Sequence, residues 1–108
     1  MNYMMLFEEF LEQHDIYLFK GWEKASFIGP PTVEKFWVVF TLLVSPETDL
    51  RGARRVNDAM HQGKVVMKKT QDGSIMVQFQ VLKRALDQIE TDNKERIEKL
   101  SDQAKEEL

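Results

Sequence analysis

The chain of 108 residues contains no cysteine, which excludes disulfide bonds, thiolate nucleophiles and cysteine metal sites. It has only two histidines, His14 and His61, and neither has a ligand or nucleophile partner in the sequence. Its five glycines are scattered and match no phosphate-binding pattern such as GxGxxG or GKS/T. We therefore expect no enzymatic activity, no metal and no cofactor.

Long hydrophobic runs are also absent. The longest, residues 36–44, is about half of the roughly 18 residues that a membrane helix requires. The first residues lack a basic start and meet Glu8 and Glu9 before a signal-peptide core could form. We expect a protein that does not enter a membrane, and the lack of cysteine favours a cytoplasmic location.

The composition is that of a folded domain. With 43% hydrophobic and 10% aromatic residues, the chain lies far from the composition of disordered proteins. Its length is typical of one domain, residues 1–108, in which residues 90–108 are expected to form a projecting C-terminal helix.

The first third of the chain predicts one helix and then short strands. Apolar residues at three- and four-residue spacing predict an amphipathic helix over residues 2–13. Aromatic and branched residues at 16–28 predict one or two short strands, with a bulge or bend at Gly21. The Gly29-Pro30-Pro31 sequence then predicts a loop to about residue 34.

Residues 36–44 form the clearest predicted strand, and both of its faces are apolar. Trp37, Val39 and Leu43 share one face, because side chains alternate along a strand. A strand of this kind is expected to be covered on both sides. Either the N-terminal and C-terminal helices cover the two faces, or a partner or a second copy covers one of them.

A second helix is predicted to start at Ser45, with Pro46 in its first turn, and to stop at Gly63. Its inward stripe would consist of Leu50, Ala53, Val56 and Met60.

Residues 64–69 and 74–79 predict a β-hairpin. A three-residue loop of Gln71, Asp72 and Gly73, with Gly73 left-handed, places the apolar residues Val65, Met67, Ile75, Val77 and Phe79 on one face. Lys64, Lys68, Ser74 and Gln78 then share the other face. Met76 also lies there, as an apolar exception on a polar surface.

From about residue 81 the sequence predicts a helix to the end of the chain. At 1.5 Å per residue it would extend roughly 40 Å, more than a domain of this size needs to cover its sheet. The predicted fold is therefore α+β: an antiparallel sheet of three to five strands flanked by helices, in the order helix, strands, helix, hairpin, long helix.

Charge is segregated along the chain. Residues 51–84 carry eight basic and two acidic residues, a net charge of +6, whereas the whole chain has a net charge of −3. The basic candidates for partner binding are Arg51, Arg54 and Arg55 on the second helix and Lys64 and Lys68 on the hairpin. The apolar candidates are Trp37, Val39, Leu43 and Met76. The basic set is compatible with a phosphate backbone or with an acidic protein, but no base-stacking aromatic residue lies within it.

One stretch resembles a known family. It comprises residues 56–60 (VNDAM), 63–67 (GKVVM) and 72–77 (DGSIMV). This helix, glycine, strand, acidic-glycine turn and strand are similar to type III secretion chaperones and to the putative bacterial sensory transduction regulator family, which shares their fold. The resemblance covers about a third of the chain and implies a non-enzymatic, dimeric binder of other proteins.

We therefore expect a small protein-binding module that associates with itself and acts as an adaptor, chaperone or inhibitor, including the case of a phage-encoded inhibitor. The alternative is a nucleic-acid-associated protein that uses the basic helix and hairpin.

Overall fold

The computed structural model describes residues 2–60 and 63–106, with side chains described up to residue 95. The predicted α+β class and the order of elements are confirmed. The helices are α1 (Tyr3–Gln13), α2 (Arg51–Met60) and α3 (Lys83–Glu106). The strands are β1 (Ser26–Phe27), β2 (Thr32–Val33), β3 (Trp37–Val44), β4 (Lys64–Lys69) and β5 (Ile75–Leu82).

The strands form one antiparallel five-stranded sheet with the order β1-β3-β5-β4. The two-residue strand β2 also pairs with β3, at Val38 and Val39, while β1 pairs with Leu42 and Leu43. The long central strands β3 and β5 pair over eight residues each. The sheet therefore has β4 at one edge and the two short strands at the other.

Helix α1 forms where the sequence predicts it. Asn2 begins the helix, and its side-chain oxygen accepts a hydrogen bond from the Met5 N–H at 3.1 Å. The inward residue Phe7 is fully buried and stacks on Phe40 of β3, with ring centroids 4.0 Å apart. This stack fixes the first helix to the centre of the sheet.

The prediction of strands over residues 16–28 is largely wrong. Most of this segment consists of two 3₁₀ turns, Ile16–Leu18 and Trp22–Lys24, and only Ser26–Phe27 is a strand. Left-handed backbone at Asp15 and Gly21 turns the chain before each 3₁₀ segment. The turns direct Ile16 and Trp22 into the core, where both are fully buried. Burial of two large side chains outweighs the local strand preference.

The second helix begins later than the predicted Ser45 start. Residues 45–50 form turns, and Asp49 accepts the backbone N–H of Arg51 at 3.1 Å, as a helix-capping side chain does. The Asp49 N–H donates to the Lys20 carbonyl at 2.8 Å. This tertiary contact holds the segment in a non-helical conformation. His61 and Gln62, and with them the predicted helix end, lie outside the described residues.

The predicted hairpin register is confirmed. Val65 pairs with Phe79 and Met67 pairs with Val77, which corresponds to the three-residue loop 71–73. Gly73 has a φ of +91°, the left-handed conformation that this loop requires. The lysines Lys64 and Lys68 therefore point away from the helices.

Strand β5 is longer than predicted: it includes residues 80–82, of which 81 and 82 were predicted to begin the last helix. They pair with residues 37–39 of β3, and helix α3 begins only at Lys83. Leu86 of α3 is fully buried, and Asn93 donates to the Glu9 carboxylate of α1 at 2.8 Å. The side chains of Ile97, Leu100, Ala104 and Leu108, on which the predicted long stripe depends, lie outside the described ones. That residues 90–108 project from the domain therefore remains a prediction.

Candidate functional site

All three helices lie on one side of the sheet. Phe7 of α1 contacts both Phe40 and Phe79, and Trp22, which packs on α2 at Gly52, also faces Phe79. Helix α3 joins α1 on the same side through the bond from Asn93 to Glu9 and through the buried Leu86. One face of the sheet is therefore a closed core, and none of the helices in the described part of the chain lies on the other face.

We call this second surface the open face. The strand pairing shows which residues belong to it, since directly paired residues of antiparallel strands point to the same side of the sheet. It consists of Trp37, Val39, Thr41 and Leu43 of β3, Met76, Gln78, Gln80 and Leu82 of β5, and Lys64, Val66 and Lys68 of β4.

Burial separates the two faces sharply. Along β3, residues of the core face are buried, while Trp37, Val39, Thr41 and Leu43 are only half-buried. Of the two alternatives for this strand, the one in which the N-terminal and C-terminal helices cover its two faces is therefore wrong for residues 2–60 and 63–106, in which no helix lies over the open face. The physical cause is that α1, α2 and α3 share one core, which leaves no helix for the second apolar surface.

The open face has apolar ends and a more polar middle. Leu43 pairs with Met76 at one end, and Trp37 pairs with Leu82 at the other. Between these rows lies a depression of about 350 Å³. Its lining residues come from both edges and both central strands: Thr32, Glu34, Val39, Thr41, Val66, Gln78 and Gln80.

Charges of opposite sign occupy the two edges of the open face. Lys64 and Lys68 are exposed on edge strand β4. Glu34 follows β2, and its N–H donates to the Trp37 carbonyl at 2.8 Å, which continues the pairing of β2 with β3. This register places Glu34 on the open face, across the sheet from the lysines.

The basic residues predicted as one group are divided by the sheet. Arg51, Arg54 and Arg55 are exposed on α2, on the helix side, whereas Lys64 and Lys68 are on the open face. The five side chains therefore do not form one continuous surface.

Two of the arginines already have acidic partners nearby. Arg51 pairs with Asp49 at 2.6 Å, and hydrogen bonds from Arg51 hold the pKa of the Asp49 carboxyl below its ordinary value. Arg55 donates to the His14 carbonyl at 2.8 Å and contacts Asp15 at 3.4 Å.

The structure thus brings together six of the nine predicted binding residues. Trp37, Val39, Leu43, Met76, Lys64 and Lys68 share the open face. The sequence did not identify the other five residues of this face as binding candidates, nor Glu34 beside them; the five are Thr41, Val66, Gln78, Gln80 and Leu82. The alternation of Gln80, Val81 and Leu82 continues that of the strand before it, and this signal could have extended β5 over the residues that were predicted as helix.

The described side chains include no metal-binding cluster: within residues 2–60 and 63–95, no group of three or more histidine, cysteine, aspartate or glutamate side chains could hold a metal ion. None of the helices within residues 2–60 and 63–106 is both long and apolar enough to cross a membrane.

The fold and the open face define the chain as an α+β domain whose sheet is covered by helices on one side. No protein-family model matches this chain, and no curated protein or solved structure is significantly similar to it.

Proposed function

We propose that the protein is a small non-enzymatic protein-binding module and that the open face is its contact surface. The observation that supports this proposal is the second apolar face of the central strand, which carries Trp37, Val39 and Leu43 but lies under no described helix. Large apolar surfaces that a domain does not cover with its own elements usually mark interaction sites.

The side chains of the open face suit a protein partner. Tryptophan and methionine, here Trp37 and Met76, are enriched at protein interfaces, and methionine adapts its shape to different partners. Lys64 and Lys68 lie at the margin, where charged residues steer association without the cost of burial.

The resemblance to type III secretion chaperones points the same way, since those proteins are non-enzymatic binders of other proteins. An adaptor, a chaperone or an inhibitor in the cytoplasm, including one encoded by a phage, would use such a face.

Site-specific photocrosslinking tests the proposal. A photoreactive amino acid is placed at Met76 on the open face and, as the control, at exposed Asp58 on α2. Both proteins are expressed in the cells that make the natural protein, and crosslinked products are identified by mass spectrometry. We expect a defined adduct with a protein from position 76 and none of the same mass from position 58.

Substitutions provide the second part of this test. Trp37→Glu should abolish the adduct from position 76, because a carboxylate replaces an apolar contact, whereas Arg54→Glu on α2 should leave it unchanged. A partner that is captured equally well by the Trp37→Glu protein would contradict the open face as the contact surface.

Self-association is part of the same proposal, because a second copy is another protein that the open face could contact. Light scattering over a range of concentrations measures it directly. A dimer that becomes monomeric in the Trp37→Glu protein would identify the second copy as the occupant. A strict monomer at high concentration would exclude self-association but not a different protein partner.

The nucleic-acid alternative has less support. A phosphate backbone requires several cations on one surface, and the arginines of α2 and the lysines of β4 lie on opposite sides of the sheet. Arg51 and Arg55 also have acidic partners within the domain.

A further inference from the structure

The depression on the open face runs across the strands and not along them. Its lining residues extend from Thr32 on β2, through β3 and β5, to Val66 on β4. Three strand spacings of about 4.8 Å give it a length of roughly 14 Å. An extended chain covers this distance with about four residues, at roughly 3.4 Å per residue.

The floor of the depression provides hydrogen-bonding groups. Gln78 and Thr41 pair across the central strands, and the Gln78 Nε2 donates to the Thr41 hydroxyl at 3.4 Å. The neighbouring Gln80 contributes a second carboxamide. Each carboxamide offers two N–H donors and a carbonyl acceptor, which match the peptide groups of a bound chain.

A polar floor of this kind favours an extended segment over a helix. A helix satisfies its own backbone groups and would present an apolar stripe, whereas an extended chain needs partners for its N–H and C=O groups. If the extended backbone faces Gln78 and Gln80, its side chains point alternately in the two directions along the strands. In one direction they would contact the apolar pair Leu43 and Met76, and in the other the pair Trp37 and Leu82.

Charges of opposite sign flank the depression. Lys64 and Lys68 lie on β4 on either side of Val66, which lines the depression, and Glu34 lines it beside β2. The lysines could also have a purely protective role, because lysine on an edge strand discourages association between sheet edges. That role does not explain why an acidic residue, Glu34, lies at the opposite edge of the open face. The combination of a groove with opposite charges at its ends gives a bound segment a defined orientation.

We propose that the open face binds an extended segment of a partner protein that crosses the strands. The segment has an apolar centre, a carboxylate at the β4 end and a cation at the β2 end. This inference rests on the proposed protein-binding function and specifies its ligand.

A second copy fits this arrangement less well than a separate partner. Among the described residues, each open face carries two lysines, Lys64 and Lys68, and one acidic residue, Glu34. Two copies placed face to face would therefore bring together surfaces of the same net charge.

A display library of random octapeptides, selected on the full-length protein, tests the inference. We expect enrichment of peptides that have two to four apolar residues between an acidic and a basic residue. For an enriched peptide, Lys68→Glu should weaken binding about fivefold, and Glu34→Lys should have a similar effect, because each reversal replaces an attraction by a repulsion. The matched controls Arg54→Glu and Asp58→Lys, both on exposed α2 positions, should leave the affinity unchanged.

Compensation makes the test specific. Exchanging the acidic residue of the peptide for lysine should restore its affinity for the Lys68→Glu protein and weaken its affinity for the wild type. Circular dichroism of each variant verifies that the fold is retained.

Three results would overturn the inference. They are the absence of enriched peptides, enriched peptides that lack opposite end charges, and a dimer that the Trp37→Glu substitution dissociates. None of these removes the proposed protein-binding function, because a folded partner or a second copy would still give the adduct from position 76. Conversely, peptide enrichment without any cellular adduct would support the groove and contradict the proposed function.

Discussion

The indole ring of Trp22 lies directly against Gly52 of helix α2. A β-carbon at Gly52 would lie 2.5 Å from the Trp22 Nε1 atom, and the same nitrogen donates a hydrogen bond to the Asp49 carbonyl at 2.7 Å. The irregular segment before β1 and the start of α2 are therefore joined through one buried side chain. Because Trp22 also faces Phe79 of β5, this contact holds the first turn of α2 against the core face of the sheet.

Gly52→Ala should destabilise the protein by about 1–3 kcal/mol, the usual cost of overfilling a packed site. This loss of stability would be opposite to the usual effect of the substitution, because alanine stabilises an exposed helix position relative to glycine by about 1 kcal/mol. Urea denaturation measures the change. Arg54→Ala, at an exposed position of the same helix, is the control and should change the stability by less than about 0.5 kcal/mol. An unchanged or more stable Gly52→Ala protein would show that Trp22 does not pack against this position.

The two faces of β3 can be compared at neighbouring residues. Val38 is fully buried in the core, and Val39 lies half-buried on the open face. Val38→Thr should cost about 1–3 kcal/mol, since threonine has nearly the same shape but buries a hydroxyl group. Val39→Thr should cost less than about 0.5 kcal/mol, because the hydroxyl group remains accessible to water. Equal losses in thermal or urea denaturation would mean that both faces are covered.

The hairpin loop should contribute a pH-dependent part of the stability through Asp72. Its carboxylate accepts hydrogen bonds from the Thr70 hydroxyl and from the Ser74 N–H, the latter at 3.0 Å. The hydroxyl bond from Thr70 and the bonds from Ser74 lower the pKa of Asp72 in the folded protein. A lowered folded pKa means that the ionised form stabilises the fold above the ordinary pKa of about 3.9, and that this contribution disappears as the pH falls through the folded value.

Asp72→Asn keeps the shape but removes the charge. The wild type should be more stable than this variant at pH 7, and the difference should shrink as the pH is lowered toward 3. Chemical denaturation at several pH values measures the difference. A difference that is constant with pH would contradict an ionic contribution from Asp72.

The split of the basic residues predicts weak or absent binding to nucleic acid. Fluorescence anisotropy with labelled DNA and RNA at low salt measures this affinity, and we expect none. Affinity that falls steeply with salt and is lost in the Arg54→Glu/Arg55→Glu protein would instead support the alternative function. Lys24→Glu/Lys35→Glu, at two exposed positions outside α2, changes the net charge by the same amount and is the control.

Elements with a strong local pattern were predictable from the sequence. Helix α1 follows from the spacing of Phe7 and Phe10, and the β4–β5 register follows from Asp72-Gly73 and the alternation of Val65 and Met67. These features depend on residues close together in the chain, whose side chains share a face as soon as the local conformation forms.

The errors occurred where distant contacts outweigh local preference. Ser45 and Pro46 favour a helix start, but the Asp49 N–H bonds to the Lys20 carbonyl and the helix begins six residues after Ser45, at Arg51. Val81 and Leu82 were predicted to begin the last helix, but pairing with β3 keeps them in the sheet.

By itself, the sequence determined that β3 has two apolar faces and that basic residues are concentrated between 51 and 84, because composition and period-two alternation are local properties. Only the tertiary structure decided which face the helices cover and on which side of the sheet each basic residue lies. That choice depends on long-range packing, in which Phe7, Trp22 and Leu86 converge on one core and leave Trp37, Val39 and Met76 on the open face.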